Sequence, residues 1–466
     1  MLENWRDSSY CSVECSILVV MQPAIPDLVP PTSPTTEKRE SLTSEVTQIP
    51  VARRNFVVMA AYQIIVRTGW IFKTESVIMP AVLDQISGIG WVRGLLPLLS
   101  RLGHGLLPFM MASRVEQAPY KKKILGISTW LMFLCFILWF AMFTPLFVMD
   151  VTWKPIVFLS IYAVFFMCVG VNVLTLNTLQ GKLIATTSRG RLMCVSGIVG
   201  AISAISCVLC LMPGWLQADN PRFDLIFLFP GILIALAAAL AWCFDEKADV
   251  HRKVRRKKKN SFVEVYEALR DDKNFRRLAY VALAVGCSIL LFPHYQNLGL
   301  QGMRLELSQL MWWVVVQNVG TGIFSIPMGT VADRGGNRLV LQIFLLGLVA
   351  APLLAVLLFY FEISQWYVFV FLLVGLTPVV IRTLQNFTLE ICCEEDHPRY
   401  LSTLNLCLAA PMCFSPLVGA CVDLFDPAII FGCVAACVLA GWCVTFTLIE
   451  PRNSPHRIDR NRNLLQ

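Results

Sequence analysis

Charge is scarce in this chain. Only 15% of its 466 residues are Asp, Glu, Lys or Arg, against about a quarter in a soluble globular protein. Histidine is scarcer, with five in all. They form no cluster and no H-E-x-x-H, and no G-x-S-x-G accompanies them, so neither a metal centre nor an activated nucleophile is expected. The reading is therefore not an enzyme, with no catalytic residue, no metal ligand and no cofactor. Alternating ten-residue apolar segments are absent, which excludes a transmembrane barrel. The 17 cysteines lie mostly inside apolar runs, where Cys packs as a small hydrophobe. Cys392 and Cys393 are adjacent, without metal-ligand spacing, and no disulfide framework is apparent. No basic patch interleaved with aromatics sits on a soluble domain, so nucleic acid is excluded as a partner.

What is present is apolar: 56% of the residues are hydrophobic and the mean hydropathy is +0.64. A helix needs about 20 apolar residues to cross a bilayer. Twelve stretches qualify: 55–79, 91–112, 123–147, 155–182, 192–213, 224–243, 277–298, 308–330, 338–361, 366–390, 400–423 and 427–449. The fold class expected is an all-α membrane protein with twelve transmembrane helices in two pseudo-symmetric six-helix bundles.

Basic residues sort by loop. Arg53, Arg54, Lys121, Lys122, Lys123, Arg189, Arg191, the run from His251 to Lys259, Arg334, Arg338 and Arg452 to Arg462 fall on one side. The alternate loops hold only Arg93, Lys154, Arg222 and Arg304. The positive-inside rule then makes both termini and the central loop cytoplasmic. Residues 1–52, with Pro30-Pro31-Thr-Ser-Pro34, read as a disordered cytoplasmic tail. No cleavable signal is visible and Met21 is an alternative start, so a multi-pass protein of the cell (inner) membrane is expected. The remaining divisions are an N-terminal bundle over 53–243, a linker over 244–276, a C-terminal bundle over 277–450 and a cytoplasmic tail over 451–466. Within the linker, Ser261 and Glu264 form a capping box ahead of an amphipathic helix with Phe262, Val265, Tyr266 and Leu269 on one stripe.

The two halves carry a repeat. Gly320, Gly322, Met328, Gly329, Asp333 and Arg338 match Gly103, Gly105, Met111, Ala112, Glu116 and Lys121 at a constant offset of 217. The run Asn177-Thr-Leu-Gln180 onward to Arg189-Gly-Arg191 resembles Gln385-Asn-Phe-Thr388 onward to Pro398-Arg399-Tyr400 at an offset of 208. Repeats of this kind are the architecture of many transporters. The stretch Gly329-Thr-Val-Ala-Asp333-Arg334-Gly-Gly336-Asn-Arg338 resembles the loop signature of the major facilitator superfamily of secondary transporters. Asn274-Phe275-Arg276-Arg277 also resembles the lead into helix 7 of that family. The resemblance implies transport of a small solute by alternating access. It assigns Gly329, Asp333, Arg334, Gly336 and Arg338, with Glu116 and Lys121 from the first half, to a gate that latches the bundles on the cytoplasmic side in the outward-facing state. The first-half copy lacks the D-R and G-x-R pairs, which departs from the usual pattern.

Charges inside apolar spans mark candidate sites, because one at a helix centre costs about 2.5–3.5 kcal/mol on insertion scales. Arg67, Lys73 and Glu75 lie in helix 1. At about 100° per residue, Gln63, Arg67, Trp70 and Thr74 share a face. Lys73 points elsewhere, toward the outer surface. His294, Tyr295 and Gln296 follow Pro293 in helix 7, Arg382, Gln385 and Asn386 lie in helix 10, and Asn172 and Asn177 lie in helix 4. These residues are expected to line a substrate cavity, with Arg67 and Arg382 facing each other from opposite bundles and favouring an anionic or zwitterionic solute. Glu75 is the candidate proton carrier, since a desolvated carboxylate titrates near neutrality. The partners expected are a small-molecule solute, the lipid bilayer and protons as coupling ion, with the protein a monomer. The competing reading is a non-transporting membrane sensor or assembly partner on a transporter fold.

Overall fold

The long apolar runs fold as helices, and no strand occurs among the described residues. The computed structural model describes residues 36–144, 150, 152–216, 221–249, 261–393 and 396–450. The chain divides into two units, Met1–Pro50 and Val51–Gln466. Most of the expected N-terminal tail and all of the C-terminal tail lie outside the described residues, although helix already begins at Thr36.

The first half contains α1 (Thr36–Trp70), α2 (Ile78–Ile86), α3 (Gly90–Gln117), α4 (Lys121–Phe143), α5 (Lys154–Leu183), α6 (Thr186–Trp215) and α7 (Phe223–Trp242). Then come the linker helix α8 (Ser261–Asp271), α9 (Lys273–Ile289), α10 (Phe292–Asn297), α11 (Gln309–Tyr360), α12 (Val368–Val374), α13 (Thr377–Ile391), α14 (His397–Ala409), α15 (Ser415–Leu424) and α16 (Pro427–Thr445). Among the described residues, ten helical segments are long and apolar enough to span a membrane. Two features separate that number from the twelve expected. α3 is 28 residues long but is not among the ten. α11 runs 52 residues, roughly 78 Å at 1.5 Å per residue, more than twice the hydrocarbon thickness of a bilayer.

α11 is broken where the motif predicts a turn. Gly336 has φ 80° and ψ 167°, a conformation open in practice to glycine alone. A Cβ there would also strike the Glu450 carboxylate. Helix 1 differs from the single span expected over 55–79. It stops at Trp70, passes through a 3-10 turn (Ile71–Lys73), and resumes as α2 after Thr74, whose ψ of 133° is not helical. Thr74 Oγ1 accepts the Ile78 N–H at 3.1 Å and so caps the second piece. The span expected over 277–298 is similarly divided between α9 and α10, with Pro293 in the first turn of α10.

The linker helix forms as expected. Ala268 is buried, while Tyr266, placed on the apolar stripe, is exposed. The side chains of Ser261, Phe262 and Glu264 lie outside the described residues. Asp272 then caps α9 by accepting the N–H groups of Asn274 and Phe275.

The repeat extends into contacts that the motif did not disclose. Asn55 exchanges two 2.9 Å hydrogen bonds with the backbone of Asp245, and Asn274 exchanges two 2.9 Å bonds with the backbone of Ile449. The residue after each backbone partner is a glutamate. Glu246 accepts the N–H groups of Lys121 and Lys122 at 2.9 and 2.8 Å, and Glu450 accepts that of Arg338 at 2.9 Å. In each half an asparagine on the first spanning helix thus fixes the chain just after the sixth. The glutamate there caps the helix that follows the motif loop, where backbone donors and the helix dipole favour an anion.

Candidate functional site

A cavity of about 640 Å³ is lined by Gln63 and Arg67 of α1, Asn177 and Gln180 of α5, Met193, Cys194, Ser196 and Gly197 of α6, and Arg382 of α13. Both bundles therefore contribute. The arginine stem is accommodated because α6 presents small residues: the Arg67 chain lies against Gly200, where a Cβ would sit 2.9 Å from Arg67 Cδ. Gln63 is fixed from two sides. Its Nε2 donates to Gln180 Oε1 at 2.9 Å, and its Oε1 accepts from Ser196 Oγ at 2.7 Å. Arg67 and Arg382 are both exposed to the open volume. Among the described residues neither guanidinium has a carboxylate or a hydrogen-bond partner, and Arg382 is the charged group that acts on Arg67. Two cations of like sign thus face one polar space with no protein anion between them.

Other expected lining residues go elsewhere. Asn172 is buried inside the first bundle, bonded to Tyr62, Ser128 and Thr129 at 2.9, 3.2 and 2.8 Å. It ties three helices together and does not reach the cavity. Gln385 and Asn386 lie one helical turn beyond Arg382 and do not line it. Trp70 turns away to stack on Lys73, and Thr74 serves as the cap described above. Lys73, expected toward the outer surface, is instead 1% exposed. Glu75 accepts from Ser100 Oγ at 3.0 Å and lies 4.0 Å from Lys73 Nζ. Cavity residues that the sequence did not mark are Gln180, Met193, Cys194, Ser196 and Gly197. Their signal was weak, because single polar or small residues in an apolar helix are common packing devices.

His294, Tyr295 and Gln296 are fully buried in a different place, the end of the bundles opposite the motif loops. There Gln296 Nε2 donates to Asp84 Oδ2 at 2.7 Å. Asp84 pairs with Arg93 at 2.6 Å, and Arg93 reaches Asp423 of the second bundle at 3.3 Å. The Gly90 N–H donates to Asp423 Oδ2 at 2.6 Å. Backbone meets backbone here: a Cβ on Gly90 or Gly94 would collide with the carbonyl oxygens of Gly419 or Ser415. This end of the molecule is closed by close α3–α15 packing and an ionic tie across the bundles from the buried Arg93 to the partly exposed Asp423.

At the motif end the gate residues are apart. Asp333 and Arg334 are exposed. Arg338 donates to the Phe446 carbonyl at 2.8 Å, within its own bundle. Gly329 has open space where a Cβ would project. Lys121 is buried and ion-paired with Asp249, and the Glu116 side chain lies outside the described residues. Among the described residues no group of three potential metal ligands occurs. Cys207 and Cys210, at C-x-x-C spacing on α6, are free.

Residues 291–464 match the model of the Major Facilitator Superfamily. A mutant of the nucleoside transporter NupG superposes with a TM-score of 0.66 at 10% identity, over 84% of this chain and 99% of that one. Over 84% of its length the chain has the major facilitator fold. A bacterial homologue of the iron transporter ferroportin, solved in an inward-facing state, matches with a TM-score of 0.61 at 13% identity, over 85% and 98%. A D-xylose–proton symporter matches at 0.58 and 14%, over 88% and 99%. No curated protein matches at the level of sequence. The family match covers the second half of the chain, and the likeness in fold extends over both halves.

Proposed function

We propose that this protein is a secondary transporter that carries a small anionic or zwitterionic solute by alternating access. The observation that carries the reading is the pair Arg67 and Arg382, one from each bundle, unpaired beside a shared cavity. A guanidinium away from the interface needs a counter-charge or water. A bound anion supplies the counter-charge, and a carboxylate or phosphate matches the guanidinium fork in bidentate fashion. Because the two arginines belong to different bundles, the same anion offsets their repulsion and couples binding to the relative position of the halves.

The basic loops favour a cytoplasmic location for both termini and the central loop. On that assignment the closed Asp84–Arg93–Asp423 end is external and the arrangement is inward-open. The exposed Asp333 and Arg334 agree with it, since a cytoplasmic latch is released in that state. Glu75 stands as the acidic member of the proton-coupling site, and the working unit is the monomer in the cell membrane.

The test is a thermal-stabilisation screen of purified protein against small carboxylates, phosphate esters, amino acids, neutral sugars and amines, followed by uptake in proteoliposomes. Stabilisation confined to anions and zwitterions, with uptake of the same compounds, supports the reading. Stabilisation by cations or neutral solutes alone removes the anion preference. Binding without any uptake favours a sensor on the same fold.

A further inference from the structure

The break in helix 1 is clasped from both bundles. Ser76 lies in the non-helical link between Thr74 and the start of α2 at Ile78. It is 1% exposed, and its Oγ donates to Gln317 Oε1 of α11, in the second bundle, at 2.6 Å. The neighbouring Glu75 accepts from Ser100 Oγ of α3, in its own bundle, at 3.0 Å. The offset of 217 that matches Gly320 with Gly103 also matches Gln317 with Ser100. Repeat-related positions thus hold consecutive residues of one break, one from within the bundle and one from across it.

Both clasping helices are seated backbone to backbone on their own bundles. A Cβ on Gly103 would lie 2.9 Å from the Met167 nitrogen of α5, and one on Gly320 would lie 2.6 Å from the Leu372 carbonyl oxygen of α12. Beside Gln317 the seat is closer still. Thr321 Oγ1 donates to the Gly375 carbonyl at 2.9 Å, and a Cβ on Gly375 would lie 2.5 Å from the Gln317 carbonyl oxygen. Gly375 separates α12 from α13, the helix that bears Arg382. Gln317 therefore stands with the break in the span of Arg382, and Ser76 stands on the break in the span of Arg67. Along the chain Ser76 falls between Arg67 of the cavity and Asp84 of the closed end.

We propose that Ser76 and Gln317 are a positioning pair at the roof of the cavity. Their hydrogen bond sets how closely the helix bearing Arg67 approaches the helices seated with Arg382, and it is made only while the Asp84–Arg93–Asp423 end is closed. Ser100 travels with its own bundle and keeps Glu75 in either arrangement. Gln317 belongs to the other bundle and has to release Ser76 when the two part at this end. The contact is single and neutral, so its net worth is about a two- to tenfold change in an equilibrium. That biases the closed form without fixing it. Gln317 is half-buried and Ser76 buried, so parting leaves the serine hydroxyl unpaired until water enters from the opened end. The pair rests on the transporter reading for its purpose and deepens it, but its dependence on the state of the bundles is measurable without any solute.

The reporter is Ser415→Cys in the full-length purified protein, a position fully buried at the closed end. Its rate of maleimide labelling is measured above that of the same chain without the added cysteine. Ser76→Ala and Gln317→Leu should each raise the rate about two- to tenfold. The double variant should raise it no further than the larger single change, because both remove one bond. Ser100→Ala loosens the same break from within its bundle and should leave the rate unchanged, which separates a state-specific tie from general support of the break. Unchanged labelling in Ser76→Ala and Gln317→Leu overturns the proposal. So do additive effects in the double variant, or an equal rise in Ser100→Ala. The stated pattern in a protein that moves no solute would sink the transporter reading and leave the pair standing.

Discussion

The carboxylate of Glu450 accepts the backbone N–H of Arg338 at 2.9 Å, and so closes the start of the helix that follows the motif loop. Glu246 repeats the contact on Lys121 and adds Lys182 Nζ at 2.8 Å. The two halves share this device although their motif loops have diverged. Replacing Glu450 by Ala removes a helix cap, and loss of a cap costs about 0.5–2 kcal/mol. Glu246→Ala should cost more, because it also leaves Lys182 without one of its two carboxylates. Thermal denaturation of the two variants in one detergent should place Glu246→Ala below Glu450→Ala. The reverse order would show that the second-half cap bears more of the load.

Gly336 ought to tolerate no other residue. Its φ of 80° is reached by side-chain-bearing residues only under strain, and a Cβ would occupy the space of the Glu450 carboxylate. Gly336→Ala should therefore lower stability by about 1–3 kcal/mol. Gly329→Ala, with open space at its Cβ position, should leave stability within about half a kcal/mol of wild type. Equal melting temperatures for the two variants would contradict the assignment of the turn to Gly336.

The fold was legible because its signals are long. Twenty-residue apolar runs, basic loops and a constant offset of 217 survive substitution at most single positions. The turn at Gly336 was legible because only glycine meets its geometry. Within the site, Arg67 and Arg382 stood out because each is an expensive exception to an apolar helix. Their separation along the chain gave no hint that Gln180 and Ser196 would anchor Gln63 between them. His294, Tyr295 and Gln296 were misplaced for a definite reason. A proline-broken helix signals a functional break, but not the depth at which it lies. The same limit applied to helix 1, where the break falls after Lys73 and carries Asp84 to the closed end. Asp84 and Asp423 gave no periodic signal at all, and their meaning comes from Arg93, which lies between them in space.

Asp333→Asn should leave insertion intact and change the balance of states. Asp333 is exposed, and among the described residues has no partner here, so the charge has no work in this arrangement. If it closes the cytoplasmic side in the opposite state, the variant should accumulate in the inward-open form. Labelling of a cysteine at a position buried in the closed end, such as Ser415→Cys, which is fully shielded here, should then fall relative to the same cysteine without the Asp333 change. Unchanged labelling together with normal solute transport would remove Asp333 from the gate.

The opposite manipulation acts on the closed end. Asp423→Asn keeps the hydrogen bond from Gly90 possible but weakens the tie to Arg93, which is 1% exposed and retains Asp84. The tie joins the two bundles in the closed arrangement, so its loss should favour opening and raise labelling at Ser415→Cys, which is buried in that arrangement. Asp84→Asn is a harsher change. It takes away the shorter partner of a buried guanidinium, and breaking such a pair costs about 3–5 kcal/mol. A stability loss larger for Asp84→Asn than for Asp423→Asn, with the labelling change larger relative to stability for Asp423→Asn, is the expected pattern. Equal labelling in wild type and Asp423→Asn would show that glycine packing alone keeps this end shut.

The arginine pair can be separated from charge in general by exchanging each residue for lysine. Arg67→Lys and Arg382→Lys preserve one positive charge apiece but replace a planar fork of five donors with a compact ammonium. If an anion is held in bidentate fashion, each exchange should weaken its binding by about tenfold, since hydrogen bonds to charged groups contribute about 1.5–3 kcal/mol and lysine recovers part of this. The double exchange should be less than additive, because both arginines share one ligand and one mutual repulsion. Stability without ligand should rise slightly in the Ala variants, where that repulsion is relieved, while anion-dependent stabilisation disappears. Two lysine variants that bind anions as tightly as wild type would reduce the cavity's preference to net charge. A full loss on Arg67→Lys with no change on Arg382→Lys would place the anion on the first bundle alone, and the coupling between bundles would have to come from other contacts.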